Sequence, residues 1–213
     1  MKPLLNGILT GLFLQLAIGP VFFYILGIAM DSSFLISFFG VLAVTLVDYI
    51  YILLSILGIG KLLEKEKIKR IFGIISSLVL LIFGIMLINK ALMPSNKIIL
   101  GNEWTIAKAF ISCFLLTISS PLTIVFWSSI FASKAIEKNY SKNELSVFGI
   151  GAGLSTILFL SIVMYVISMI KKTIPVQAIT ILNILVGAVI IAYGIIRFVK
   201  GIKYYISSAS TRK

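Results

Sequence analysis

The sequence predicts an all-α integral membrane protein: one transmembrane domain over residues 1–213, six transmembrane helices and two inverted three-helix repeats. Three observations carry that prediction. First, 60% of the 213 residues are hydrophobic and only 12% are charged, about half the charged share of a soluble domain. Second, the charges are confined to short segments that separate six long apolar runs. Third, the net charge of +12 is unevenly shared among those segments. This composition excludes a soluble globular domain, a disordered tail and a collagen-like chain. The single cysteine, Cys113, allows no intrachain disulfide and no CxxC redox pair. The absence of histidine removes imidazole metal sites and His-based acid–base catalysis.

The apolar runs are residues 3–30, 32–60, 71–89, 109–133, 145–170 and 173–196, followed by a short basic tail, 197–213. A transmembrane helix needs about 20 apolar residues to cross roughly 30 Å of hydrocarbon. All six runs meet that length, the third being the shortest. The first run is longer than the apolar core of a signal peptide, about 7–15 residues, and leads straight into another span, so cleavage is not expected. Lys and Arg set the orientation. Lys2, the second and fourth loops and the tail carry 14 of them, against 5 on the other side. Both termini are therefore expected in the cytoplasm. The same asymmetry explains the basic excess by orientation and by attraction to anionic membrane lipids, so no nucleic-acid partner is expected. Gly58-Ile59-Gly60-Lys61 lacks the spacing and the Ser/Thr of a Walker A loop. Any transport must then draw on an ion gradient, a substrate gradient or a separate ATPase subunit. No cofactor and no resident metal is expected.

Asp48 is the most informative residue, because it lies near the middle of the second run. A carboxylate at that depth costs on the order of 2.5–3.5 kcal/mol on insertion scales. Such acids face a bundle interior or a watery cavity, where they exchange a proton, bind a cation or hold a substrate ammonium. The bland alternative is an inert Asp hydrogen-bonded to neighbouring helices. Thr45, Tyr51 and Ser55 share its helical face and are candidates to solvate it. Pro20, after Gly19, and Pro121, after Ser120, interrupt the first and fourth runs. Each removes a backbone hydrogen bond and frees a carbonyl, of Leu16 and Thr117 respectively. In lipid such a break is tolerated only where it is buried or lines a cavity, and transporters use broken helices to bind substrates and ions near the midplane.

The two prolines also suggest the repeat. Pro20 maps to Pro121, and Gly73, Ser77 and Gly84 map to Asn183, Gly187 and Gly194. Three spans per half require that the halves be inverted. Asp48 has no acidic counterpart in the fifth span. The glycine series Gly7, Gly11, Gly19 and the pair Gly149, Gly153 read as close-packing stripes. Gln15 on the first stripe is a candidate ligand contact; Asn6 and Asn183 are weaker ones. Tyr24, Tyr49 and Trp127 either line a pathway or pack, and Trp104 reads as an interface residue.

These residues resemble a known family. The first two spans read GLFLQLAIGPVFFYILGIAM and SFFGVLAVTLVDYIYILLSILGIGKLLE, with Gly-Pro in one and an Asp in the other. The fourth contains SSPLTIVFW, residues 119–127, and the third and sixth end in IFGIML and AYGIIR. The pattern is similar to that of the lysine-exporter (LysE/RhtB) translocators. The resemblance implies a bacterial or archaeal cytoplasmic-membrane protein that exports small metabolites, typically amino acids, by proton or cation antiport. It places the family's functional positions at Gly19, Pro20, Asp48 and Pro121. The chain departs from the pattern at Ser120, where the family has Asn, at Leu122-Thr123, where it has Lys, and at Val47, where it has Gly. Other readings are a divalent-cation exporter of the related superfamily, a non-transporting membrane subunit and an intramembrane enzyme. The enzyme has the least support, since Asp48 is the sole acid inside a span. A homo-oligomer is compatible with any of them.

Overall fold

The computed structural model describes residues 2–15, 19–58, 66–92 and 104–210. Leu16, the loop residues 59–65 and 93–103, and residues 211–213, some of which enter the charge count above, lie outside the described residues. Among the described residues every regular element is helical. In chain order these are α1 (Lys2–Gln15), α2 (Pro20–Asp31), α3 (Phe34–Ile56), α4 (Glu66–Leu92), α5 (Ile106–Ile118), α6 (Pro121–Glu137), α7 (Lys142–Ile170), a 3-10 turn (Lys171–Thr173) and α8 (Val176–Ser210).

Local chemistry sets these boundaries. Pro20 and Pro121 each open a helix rather than kink one, because a first-turn proline lacks only an N–H that would have been orphaned anyway. The first apolar run is therefore two helices, bent by 79°. Ser33 caps α3 by accepting from the Ile36 N–H, and Thr105 caps α5 from Lys108. Ser141 and Glu144 close a reciprocal capping box on α7. Just before it Asn139 adopts a positive φ of 50°, a conformation Asn tolerates better than most residues. The sixth run starts at Val176 and its helix continues through the predicted tail to Ser210.

Among the described residues three helices are long and apolar enough to cross a bilayer alone: α3, α7 and the Gln177–Ile196 part of α8. The bent pair α1 and α2 forms a fourth span if taken together. α5 and the Ser77–Asn89 part of α4 are apolar but shorter.

The most extensive packing is α4 on α8 and α1 on α7, followed by α5 on α3 and α3 on α7. On α1, Gly7 meets the backbone carbonyl of Phe148, and on α7 Gly151 meets that of Leu4. The predicted stripe is thus a backbone-to-backbone crossing, to which Gly11 adds a contact with Ser155. Gly19 departs from that stripe, having nothing within 4 Å of its Cβ position. Two apolar clusters meet along α3. Val41 and Val44 pack with Ile25, Cys113 and Leu160 in one, while Val47, Tyr51 and Ile52 pack with Trp127, Phe131 and Phe148 in the other. Asp48 falls at that junction.

α3 and α7 bury matching positions. Ser37, Gly40, Val41, Ala43, Val44, Thr45, Val47, Asp48 and Ile52 are buried on α3. On α7 the buried positions Leu145, Phe148, Gly149, Gly151, Ala152, Gly153, Ser155, Thr156 and Leu160 follow at the spacing of 108 residues that separates Asp48 from Thr156. The cap residues Ser33 and Ser141 keep the same spacing. At the far end of α2, Lys171 Nζ donates to the Ala29 carbonyl at 3.2 Å and also to that of Ser32, and Asn183 Nδ2 donates to Asp31 at 2.8 Å.

Candidate functional site: a buried carboxylate between two helix breaks

A cavity of about 280 Å³ opens where the two breaks approach each other. All eight helices reach it. Leu14 and Gln15 come from the end of α1, Gly19 to Phe22 from the first break and α2, and Val44 and Asp48 from α3. Leu116 and Thr117 end α5; Ser120, Thr123, Phe126 and Trp127 follow across the second break. Leu80, Leu160 and Tyr193 complete the wall from α4, α7 and α8. The lining is mostly apolar, with Asp48 as its acid and no basic residue among the described residues.

Asp48 is only 6% exposed. Thr156 Oγ1 donates to Asp48 Oδ2 at 2.9 Å, and Trp127 Nε1 donates to Asp48 Oδ1 at 3.3 Å. Gln15 Nε2 in turn donates to Thr156 Oγ1 at 2.7 Å. The carboxylate is therefore held by neutral donors, with no countercharge on the cavity wall. Such a group is costly to keep ionised in a dry interior and becomes cheaper when a proton or an organic cation joins it.

The two breaks present helix beginnings to the cavity. At the second break the α5 carbonyls are largely taken: Ser119 N and Oγ bond the Leu115 carbonyl, Ser120 N the Thr117 carbonyl, and Tyr51 Oη donates to the Ile118 carbonyl at 2.6 Å. The expectation that Thr117 offers a free carbonyl is thereby corrected. What stays uncapped by side chains is the start of α2 and of α6, since neither Gly19 nor Ser120 caps its helix. A helix N-terminus carries about half a positive charge and unpaired N–H groups.

The predicted site residues divide accordingly. Asp48, Gln15, Gly19, Pro20 and Ser120 meet at the cavity, and Pro121 is the first residue of α6. Thr45 does not join them: it is buried, but its hydroxyl is spent on the Val41 carbonyl at 2.9 Å, within its own helix. Tyr51 and Ser55 do not solvate Asp48 either. Tyr51 ties the second break, and Ser55 bonds the Tyr51 carbonyl. Among the weaker candidates Trp127 binds the carboxylate, whereas Tyr24 packs on Phe83 and Trp104, and Tyr49 donates to the Ile150 carbonyl. Asn6 donates to Tyr140. Thr156 was missed by sequence reasoning. The signal was available in the paired caps, Ser33 and Ser141, whose spacing puts Thr156 opposite Asp48.

The family resemblance rests on the Gly-Pro of the first run and the Asp of the second, and comparison with known proteins agrees with the family. A family model described as LysE type translocator matches residues 12–200. The chain belongs to the LysE type translocator family. It is also 28% identical over 155 residues to a Bacillus subtilis (strain 168) protein named "Putative amino acid efflux protein YcgF", covering 71% of this chain and 73% of that one. No solved structure matches the chain. Members of this family translocate solutes rather than transform them, and the apolar helices agree with a membrane protein.

Proposed function

We propose that this translocator is a secondary exporter of amino acids across the cytoplasmic membrane of a bacterium or archaeon, coupled to proton or cation antiport. The observation that carries the reading is the cavity itself: one buried carboxylate faces two helix N-termini across an apolar space. A zwitterion fits that arrangement. Its ammonium sits at Asp48, its carboxylate at the first-turn N–H groups beyond Gly19-Pro20 and Ser120-Pro121, and its side chain against Phe22, Phe126 and Leu160. Gln15 supplies a polar contact at the end of α1. The relative's name, with its amino acid efflux, supports the substrate class and direction.

For alternating access we read the chain as one domain of six spans: α1 with α2, α3, α4, α5 with α6, α7 and α8. The packing supports two inverted halves. α1 on α7 is answered by α5 on α3, while α3 on α7 and α4 on α8 pair equivalent helices. The burial match between α3 and α7 supports the same symmetry. Rocking of one half against the other would expose Asp48 to each side in turn. The Lys and Arg asymmetry puts both termini in the cytoplasm.

The test is counterflow in proteoliposomes with a labelled mixture of the standard amino acids, with and without a pH gradient. The wild type is expected to exchange label and respond to the gradient. Asp48→Asn, which keeps the size and removes the charge, is expected to lose the response and at least ~10-fold of the flux, the scale of one lost charge-assisted contact. Unchanged flux and gradient response in Asp48→Asn would sink the role of this acid.

A further inference from the structure

We propose that Thr156 is a positioning residue that transmits the protonation state of Asp48 to Gln15 and so to the end of α1. The inference rests on the reading of Asp48 as the proton-exchanging acid and adds a device to it. The geometry is a three-member chain: Gln15 Nε2 donates to Thr156 Oγ1 at 2.7 Å, and Thr156 Oγ1 donates to Asp48 Oδ2 at 2.9 Å.

A hydroxyl has one proton to give. While Asp48 is ionised, Thr156 spends that proton on the carboxylate and only accepts from Gln15. The other carboxylate oxygen, Oδ1, faces the indole N–H of Trp127. An indole donates and never accepts, so Oδ1 stays an acceptor. The relay places the proton that arrives from cavity water on Oδ2, the oxygen that faces Thr156, an arrangement that leaves the indole bond to Oδ1 intact. Asp48 then donates to Thr156, whose own proton is released toward Gln15. The hydroxyl has a second lone pair and could keep the Nε2 bond; in the relay its proton turns toward Gln15 instead, and the amide, which had presented Nε2, turns to present its carbonyl oxygen. No proton passes beyond Asp48; the directions of two hydrogen bonds reverse, and deprotonation restores them.

Gln15 is the last residue of α1 and lines the cavity. Thr156 is held firmly beneath it: it is fully buried, and Gly11 of α1 packs against the adjacent Ser155. Few other titratable groups share the site. Among the described residues Tyr51 on α3 and Tyr193 on α8 are near it; α1, α6 and α7 contribute Gln15, Trp127 and Thr156, none of which titrates, and Cys113 of α5 packs instead against Gly40. The position is also the counterpart of Asp48 in the other half, at the spacing shared by the two helix caps. The acid missing from the fifth span is replaced there by the hydroxyl that binds the acid of the second.

The experiment is infrared difference spectroscopy of the full chain in lipid vesicles on changing pH, with no substrate. Glutamine is labelled at its side-chain carbonyl; the chain's glutamines are Gln15 and Gln177. The wild type is expected to show a carboxylic-acid band, lost in Asp48→Asn, and a labelled amide band, lost in Gln15→Leu. Thr156→Val is expected to keep the acid band and lose the amide band, and Thr156→Ser, which restores a hydroxyl, to regain it. An acid band with no Gln15 band in the wild type, or a Gln15 band that survives Thr156→Val, overturns the relay and leaves the reading of Asp48 standing. Absence of an Asp48 band in the wild type overturns that reading and the relay with it. Gln15→Leu and the wild type decide the matter even if Thr156→Val does not fold.

Discussion

On α3, Gly40 is met by the thiol of Cys113, its Sγ 2.9 Å from where a Cβ would stand; on α7, Gly151 is met by the backbone carbonyl of Leu4. The two helices bury matching positions, yet α5 approaches α3 through side chains while α1 lies on α7 backbone to backbone. A thiol can rotate away from an added methyl group, but a carbonyl inside a helix cannot. The two helices thus share a burial pattern without sharing a stiffness of contact. α1 is pinned to α7, and the end of α5 is held instead by the Tyr51 hydroxyl at the Ile118 carbonyl.

Matched substitutions would break or sharpen this contrast. The largest effect is expected from Gly151→Ala, about 2–3 kcal/mol of destabilisation, because a helix backbone must shift. Gly40→Ala should cost less than about 1 kcal/mol, since only a side-chain terminus must yield. Thermal melting of the purified proteins in one detergent compares the pair, and equal losses would end the distinction. Tyr51→Phe is next, at about 1 kcal/mol for one lost hydrogen bond to an otherwise orphaned carbonyl; a melting temperature unchanged from wild type would show that the second break does not depend on it. The caps give the smallest difference. Ser141→Ala removes the hydroxyl's two bonds, from the Glu144 N–H and to the Glu144 carboxylate, while the Ser141 N–H arm of the box stays, and should cost about 1 kcal/mol; Ser33→Ala removes one long bond of 3.4 Å and should cost about half as much. Hydrogen exchange at the first turns of α7 and α3 reads the two separately.

Much of the helix plan was legible from local rules. Pro20 and Pro121 announced the breaks because proline has no N–H to continue a helix. Asp48 announced the site because a charge in an apolar run needs a reason. The partners of that charge were not legible. Thr45, Tyr51 and Ser55 were natural choices by helical spacing, yet their hydroxyls serve backbone carbonyls. The carboxylate instead draws on Trp127 and Thr156, 79 and 108 residues away in the chain.

The amino-acid sequence by itself determined the apolar character of the chain, the positions of the two breaks and the identity of its one mid-span acid. All three follow from properties of single residues and their immediate neighbours: transfer cost, missing donors, charge. Only the tertiary structure decided that Gly19 opens onto a cavity instead of packing with Gly7 and Gly11, that the start of each broken helix goes without a side-chain cap, and that Asp48 is met by a threonine at the matching position of α7. Those outcomes depend on which helices touch and in what register, a choice set by packing across the bundle that no local pattern encodes.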